Sequence, residues 1–138
     1  MPGIQKSVRL SAETLKEIEQ MVKETGMDFS SVTKDLLTEA IKIRRCPGIL
    51  FAEGVRGRRA RLAGTGIEVW EVMATYQSVG NDLKRLKKTY HWLSQDQLRA
   101  ALAYYAAYPE EIDRQIEKNE GWDKEKMRAR YPFLDSLS

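Results

Sequence analysis

Hydrophobic and polar positions follow two different periods within the first 45 residues. From Ile4 to Leu10 they alternate, with Ile4, Val8 and Leu10 on one face and Gln5, Ser7 and Arg9 on the other. That period of two predicts a strand with one buried face. Lys6 departs from the pattern and stands on the apolar side; it either reaches a phosphate past the strand end or marks fraying there. After Ser11, a good helix N-cap, Leu15, Ile18, Met21 and Val22 recur three or four residues apart and predict an amphipathic helix. Gly26 ends it as a left-handed stop. Asp28 caps a second helix carrying Phe29, Val32, Leu36, Leu37, Ala40 and Ile41 at helical spacing, and Pro47 closes the segment.

Beyond Pro47 the texture changes. Ile49-Leu50-Phe51 and Arg59-Ala60-Arg61-Leu62, punctuated by Gly54, Gly57, Gly64 and Gly66, predict two short strands with turns. Helical spacing follows over 68–77, through Val69, Trp70, Val72, Met73 and Tyr76, and over 82–90, through Leu83, Leu86 and Tyr90. A third helix opens at Ser94-Gln95-Asp96-Gln97, whose first and last residues make a capping box, and runs to 107. Pro109 suits the first position of another helix, through Ile112 and Ile116. Residues 120–138 have no period long enough to build a core and are expected as an extended tail. The predicted fold is mainly α, in three parts: 1–45, 46–107 and 108–138.

One strand and two helices in about 40 residues cannot stand alone. Both strand edges are unpaired, and the apolar area falls below what an isolated fold needs. A second copy repairs both faults, because two strands pair around a two-fold axis and four helices share one core. A homodimer is therefore expected, with tetramers through 46–107 left open.

Composition narrows the function classes. The 138 residues are 42% hydrophobic and 31% charged, which suits a folded chain. No apolar run approaches the ~18 residues of a membrane span, and the first six residues lack the apolar core of a signal peptide. A single cysteine, Cys46, excludes an internal disulfide and fits a reducing cytoplasm. The net charge of +3 is weak, but its distribution is uneven. Between 42 and 61 stand Lys42, Arg44, Arg45, Arg56, Arg58, Arg59 and Arg61 against Glu53 alone. Such a stretch is either a solvated linker or a patch facing phosphate or a partner. Likewise Lys84, Arg85, Lys87 and Lys88 are either a solvated helix face or a second set of phosphate contacts.

Catalysis is not expected. His91 and Cys46 are the only residues of their kinds and lack metal-ligand spacing. Gly54-x-x-Gly57 lacks the lysine and hydroxyl of a phosphate loop. Pairs such as Glu110–Glu111 sit on a polar helix surface. No catalytic residue, metal or cofactor is assigned.

Lys6-Ser7-Val8-Arg9-Leu10-Ser11, the helix ending at Gly26 and the second opening at Asp28–Ser31 resemble the ribbon-helix-helix family of Arc, CopG, ParD and many VapB-type antitoxins. The resemblance covers about a third of the chain. It implies that paired strands enter the major groove of double-stranded operator DNA, with Gln5, Ser7 and Arg9 at base edges. The chemistry suits them, since Arg grips guanine and Gln grips adenine through two hydrogen bonds each. It also implies a phosphate at the start of the second helix, held near Phe29, Ser30, Ser31 and Lys34, with Lys6 a further phosphate contact. Without that dimer, the same three residues are a plain solvated face.

The second part also resembles a known module. Cys46-Pro47-Gly48, the run from Arg61 to Trp70, and the run from Leu93 to Tyr105 are similar to a small bacterial domain of VapB-like antitoxins. The order of strands and helices is similar to a winged helix. This chain has Gly66-Ile67-Glu68-Val69 where the domain commonly has Arg-Ile-Pro-Val, and Gly54-Val55-Arg56-Gly57 where it has Gly-Gly-x-Pro. The resemblance implies a type II antitoxin that neutralises a PIN-like ribonuclease and represses its own operon. In such a protein the tail residues Trp122, Met127, Arg128, Arg130, Tyr131, Phe133 and Leu134 would bind the toxin, aromatic side chains filling pockets. Two alternatives stay open: a tail packed back as a lid, and a stand-alone regulator whose second module serves oligomerisation or sensing.

Overall fold

The computed structural model describes residues 3–130, with side chains given as far as Glu120. It is mainly helical, 62% helix, with one small antiparallel sheet. The elements run α1 (Ala12–Thr25), α2 (Phe29–Arg45), β1 (Ile49–Gly54), β2 (Gly57–Leu62), α3 (Val69–Ser78), α4 (Leu83–Thr89), α5 (Gln95–Ala107) and α6 (Pro109–Arg130). The chain divides into two compact units, residues 1–42 and 43–138.

In the first unit, local chemistry sets the helix ends. Ser11 accepts a hydrogen bond from the Thr14 amide, closing the N-terminus of α1. Gly26 takes a left-handed conformation, φ 73°, and its N–H returns to the Val22 carbonyl. The Asp28 carboxylate accepts from the Ser31 amide at 2.7 Å and caps α2. Ile18 and Val32 are buried, whereas Leu15, Met21, Leu36, Leu37 and Ile41 lie on the surface. Residues 3–10 form no strand here, unlike the sequence expectation, and Ile4 and Val8 are 85% and 80% exposed. A strand is defined by its ladder, and no described residue pairs with Ile4–Leu10.

The second unit contains the hairpin. Strands β1 and β2 pair in register from Ile49–Leu62 to Gly54–Gly57, leaving Val55 and Arg56 as the two-residue turn. Gly57 takes φ 94°, which favours glycine at that corner. One hairpin face presents Ile49, Ala60 and Leu62 to a core completed by Val69, Val72, Leu86, Leu93, Leu98, Ala101, Tyr104, Ile112 and Ile116. Capping boxes start α3 (Glu68 with Glu71) and α5 (Ser94 with Gln97), and Asp82 caps α4.

Tyr104 is fully buried among these elements, edge-on to Phe51 and tilted against Tyr108. Its hydroxyl donates to Glu111 at the start of α6. On the next residue, the Tyr105 hydroxyl donates to Asp113 at 2.8 Å. The two phenols therefore tie α5 to α6.

The C-terminal segment corrects an expectation. The extended tail foreseen from residue 120 is helical as far as Arg130, because α6 continues through it. Its sequence explains this: Lys124, Glu125, Lys126, Met127, Arg128 and Ala129 are all strong helix formers. Gly121 alone costs about 1 kcal/mol, too little to break the run.

Burial and the bond to Glu111 push the Tyr104 phenol far above its ordinary value, and the bond to Asp113 raises that of Tyr105. The neutral phenols are thus favoured in the folded state. Their contribution is complete below pH ~10, the ordinary tyrosine value, and is lost as pH rises above it. In an alkaline titration followed by tyrosinate absorbance, Tyr104 should ionise only as the second unit unfolds. Tyr104→Phe, which removes the donor to Glu111, should lower unfolding stability by about 1–3 kcal/mol in urea.

Candidate nucleic-acid interface

Gln5, Ser7 and Arg9 are exposed on the segment without regular structure before α1, and Lys6 beside them is exposed as well. No described residue pairs with this backbone as a strand, so their alternation has yet to be given a surface. Some twenty residues on, α2 begins. Its first intrahelical bond runs from the Val32 amide to the Asp28 carbonyl, leaving the amides of Phe29 and Ser30 ahead of the ladder.

Ser31 is different, because its amide already belongs to Asp28. That bond holds the Asp28 carboxyl below the usual carboxylate range, helped by the Ser31 hydroxyl and by Lys34. At the expected phosphate position the structure therefore offers two backbone amides and Lys34, the Ser31 hydroxyl being engaged with Asp28 like its amide. The Asp28 carboxylate stands beside them.

The basic stretch between 42 and 61 lies on regular structure instead of forming a linker. Lys42, Arg44 and Arg45 belong to α2, and the four other arginines to the hairpin. Arg56 donates to Asn119 at 2.8 Å, and Arg58 to the Phe51 carbonyl at 3.3 Å, with Glu53 4.0 Å away. Arg59 is 93% buried, since 7% of it is exposed, and its Nη1 has no hydrogen-bond partner among the described residues. The sequence marks it only as one of seven basic residues between 42 and 61; burial of a strand charge is a tertiary property.

A second basic surface lies between α4 and α5. The connection is Tyr90-His91-Trp92-Leu93-Ser94, in which Leu93 is buried and Trp92 is exposed edge-on to both Tyr90 and His91. Lys87 reaches back to the carbonyls of His91 and Leu93, securing the turn. This arrangement encloses a groove of about 360 Å³ with Leu83 and Leu98 as its apolar floor. Lys84, Lys88, Gln95 and Arg99 form its rim. His91 thus serves in a turn.

The expected toxin-binding residues Trp122, Met127, Arg128 and Arg130 fall on the last turns of α6, but their side chains lie outside the described residues, as do Tyr131, Phe133 and Leu134. Among the described residues, no cluster of histidine, cysteine and carboxylate groups could hold a metal ion, and no helix is long and apolar enough to cross a membrane.

Comparison with known proteins finds similarity to one family, within the second unit. Residues 49–105 match the family described as a protein of unknown function, DUF433. The stretch covers the hairpin, α3, α4 and most of α5. A crystal structure of a DUF433 member protein from Anabaena variabilis ATCC 29413 is 29% identical to this chain. The alignment covers 78% of this chain and 99% of that one, with a TM-score of 0.44. No curated protein matches.

The cap at α2 gives a direct test. Asp28→Ala should accelerate hydrogen exchange at the Ser31 amide, whereas Asp28→Ser should keep it slow. In the unsubstituted protein the same protection should fade as pH falls through the carboxylate range, because the cap acts as a carboxylate.

Proposed function

We propose that the chain is a dimeric DNA-binding antitoxin, in which the first unit pairs with a second copy as a ribbon-helix-helix domain. The observation that carries the dimer is the uncovered apolar surface of residues 1–42. Leu37 and Ile41 are 60% and 53% exposed, and Ile4, Val8, Leu10, Leu15, Met21, Phe29 and Leu36 are also on the surface. Apolar residues at helical spacing on two well-capped helices are a core face without its other half. A second copy covers it and supplies the missing edge for Ile4–Leu10, which turns Gln5, Ser7 and Arg9 outward together.

On this reading the paired strands enter the major groove of operator DNA, while Phe29 and Ser30 amides and Lys34 position a phosphate. The hairpin and α3–α5 form the winged-helix-like module, and α6 with the following residues engages a PIN-like ribonuclease. DNA binding is then the regulatory end of a toxin-neutralising protein in the cytoplasm. The second reading, a stand-alone regulator, shares the DNA-binding unit and differs only in the role of residues beyond α5.

Sedimentation equilibrium should give a dimer, and Leu37→Glu should dissociate it. Arg9→Ala should leave the dimer intact and lower discrimination for the protein's own promoter by about 1–3 kcal/mol in gel-shift titrations. An unchanged shift would remove the strand assignment. For the toxin, truncation after Glu120 spares Ile112 and Ile116 in the core and should abolish neutralisation of the adjacent gene's product on co-expression. A neighbour that is harmless by itself would favour the regulator.

A further inference from the structure

The groove between α4 and α5 combines features that the first unit does not use. Its lining includes Lys84, Lys87, Lys88 and Arg99, and no acidic residue. Lys87 is committed to the turn carbonyls. Lys84, Lys88 and Arg99 are exposed; of the two acids next to the lining in sequence, Asp82 is occupied in capping α4 and lies 3.9 Å from Arg85, which leaves Asp96. Net positive potential therefore faces solvent along this edge.

The outward face of α5 is also slender. Gln95, Arg99, Ala103 and Ala106 are exposed on successive turns, so the helix narrows to methyl groups beyond its first two turns. An α-helix with side chains is about 10–12 Å across and the major groove about 12 Å wide. A face ending in alanines enters such a groove without clash. Gln and Arg at its leading end are the side chains that make paired hydrogen bonds to adenine and guanine. Asp96, exposed in the same first turn, is the one acid on this approach; an aspartate there accepts from the cytosine amino group.

We propose that α4 and α5 form a second contact with duplex DNA, with Lys84 and Lys88 against phosphates and Gln95 and Arg99 at base edges. The choice of DNA rests on the DNA-binding reading above, while the residues are independent of it. A helix entering the groove behind a short helix and a tight turn is the docking arrangement of helix-turn-helix proteins. An acidic protein surface is the competing occupant, and charge alone would satisfy it; the slender face and the Gln–Arg pair favour DNA.

The test uses the full chain and labelled duplexes in fluorescence anisotropy across a salt series. Lys84→Ala with Lys88→Ala should weaken binding roughly tenfold on every duplex and reduce the salt slope by about 2. Restoring charge with Lys84→Arg and Lys88→Arg should restore the slope. Arg99→Ala should cost about 5- to 150-fold on the preferred duplex and much less on a scrambled one.

The same series in an Arg9→Ala background separates the two readings. If Arg9→Ala is silent while the lysine variant lowers affinity and slope, the strand reading fails and the groove stands. If the lysine variant leaves affinity and slope unchanged in both backgrounds, the groove is not a DNA contact. Competition by poly-glutamate as strong as by duplex, at equal charge concentration, would likewise overturn it in favour of an acidic protein partner.

Discussion

The second unit depends on one buried phenol. Tyr104 sits where α5 passes the hairpin and the start of α6, and nothing of it reaches solvent. Its ring meets Phe51 and Tyr108, while its hydroxyl is satisfied by Glu111. A buried hydroxyl without a partner would be costly, so the first turn of α6 must supply a carboxylate at that place. That requirement orients α6, and Ile112 and Ile116 then close the core. With α5 held from behind, its Gln95–Arg99 face points away from the core and toward solvent.

Unit 1 is governed by the opposite circumstance. Its helices are capped at Ser11, Gly26 and Asp28, yet they bury only Ile18 and Val32 among the described residues. Local hydrogen bonds shape the helices without providing the apolar burial that holds a domain together. The proposed dimer answers this deficit, and it would make DNA-reading geometry a property of two chains. Alternation puts Gln5, Ser7 and Arg9 on one face of an extended backbone, and strand pairing would hold it in that shape.

The α4–turn–α5 region shows how one charge can serve structure while its neighbours remain available. Lys87 spends its ammonium on the carbonyls of His91 and Leu93, in a turn whose Leu93 is buried. Lys84 and Lys88, on the adjacent surface, are left facing the groove. Four basic residues in one short stretch therefore have different roles, set by which side of the helix each occupies. Arg59 makes the same point in the hairpin, where it is buried on the face opposite Ala60 and Leu62 while its neighbour Arg58 is exposed.

Local interactions wrote much of this protein into its sequence. Ser11, Gly26, Asp28, and Ser94 with Gln97 mark helix ends because a cap involves residues only a few positions apart. Glycines at 54 and 57 around a two-residue turn announce the hairpin for the same reason. The alternation from Ile4 to Leu10 predicts a strand just as locally, yet no described residue pairs with it, because a ladder is not a local property. Periodicity likewise could not say which of Tyr104, Tyr105 and Tyr108 is fully buried, that Arg59 lies inside, or that Leu83, Lys88 and Arg99 border one groove. Those facts depend on how α5 and α6 cross and on which side chains meet across the turn. Caps and periods are short-range and survive in a linear sequence; burial and shared surfaces arise from contacts between residues far apart, and only the tertiary structure decided them.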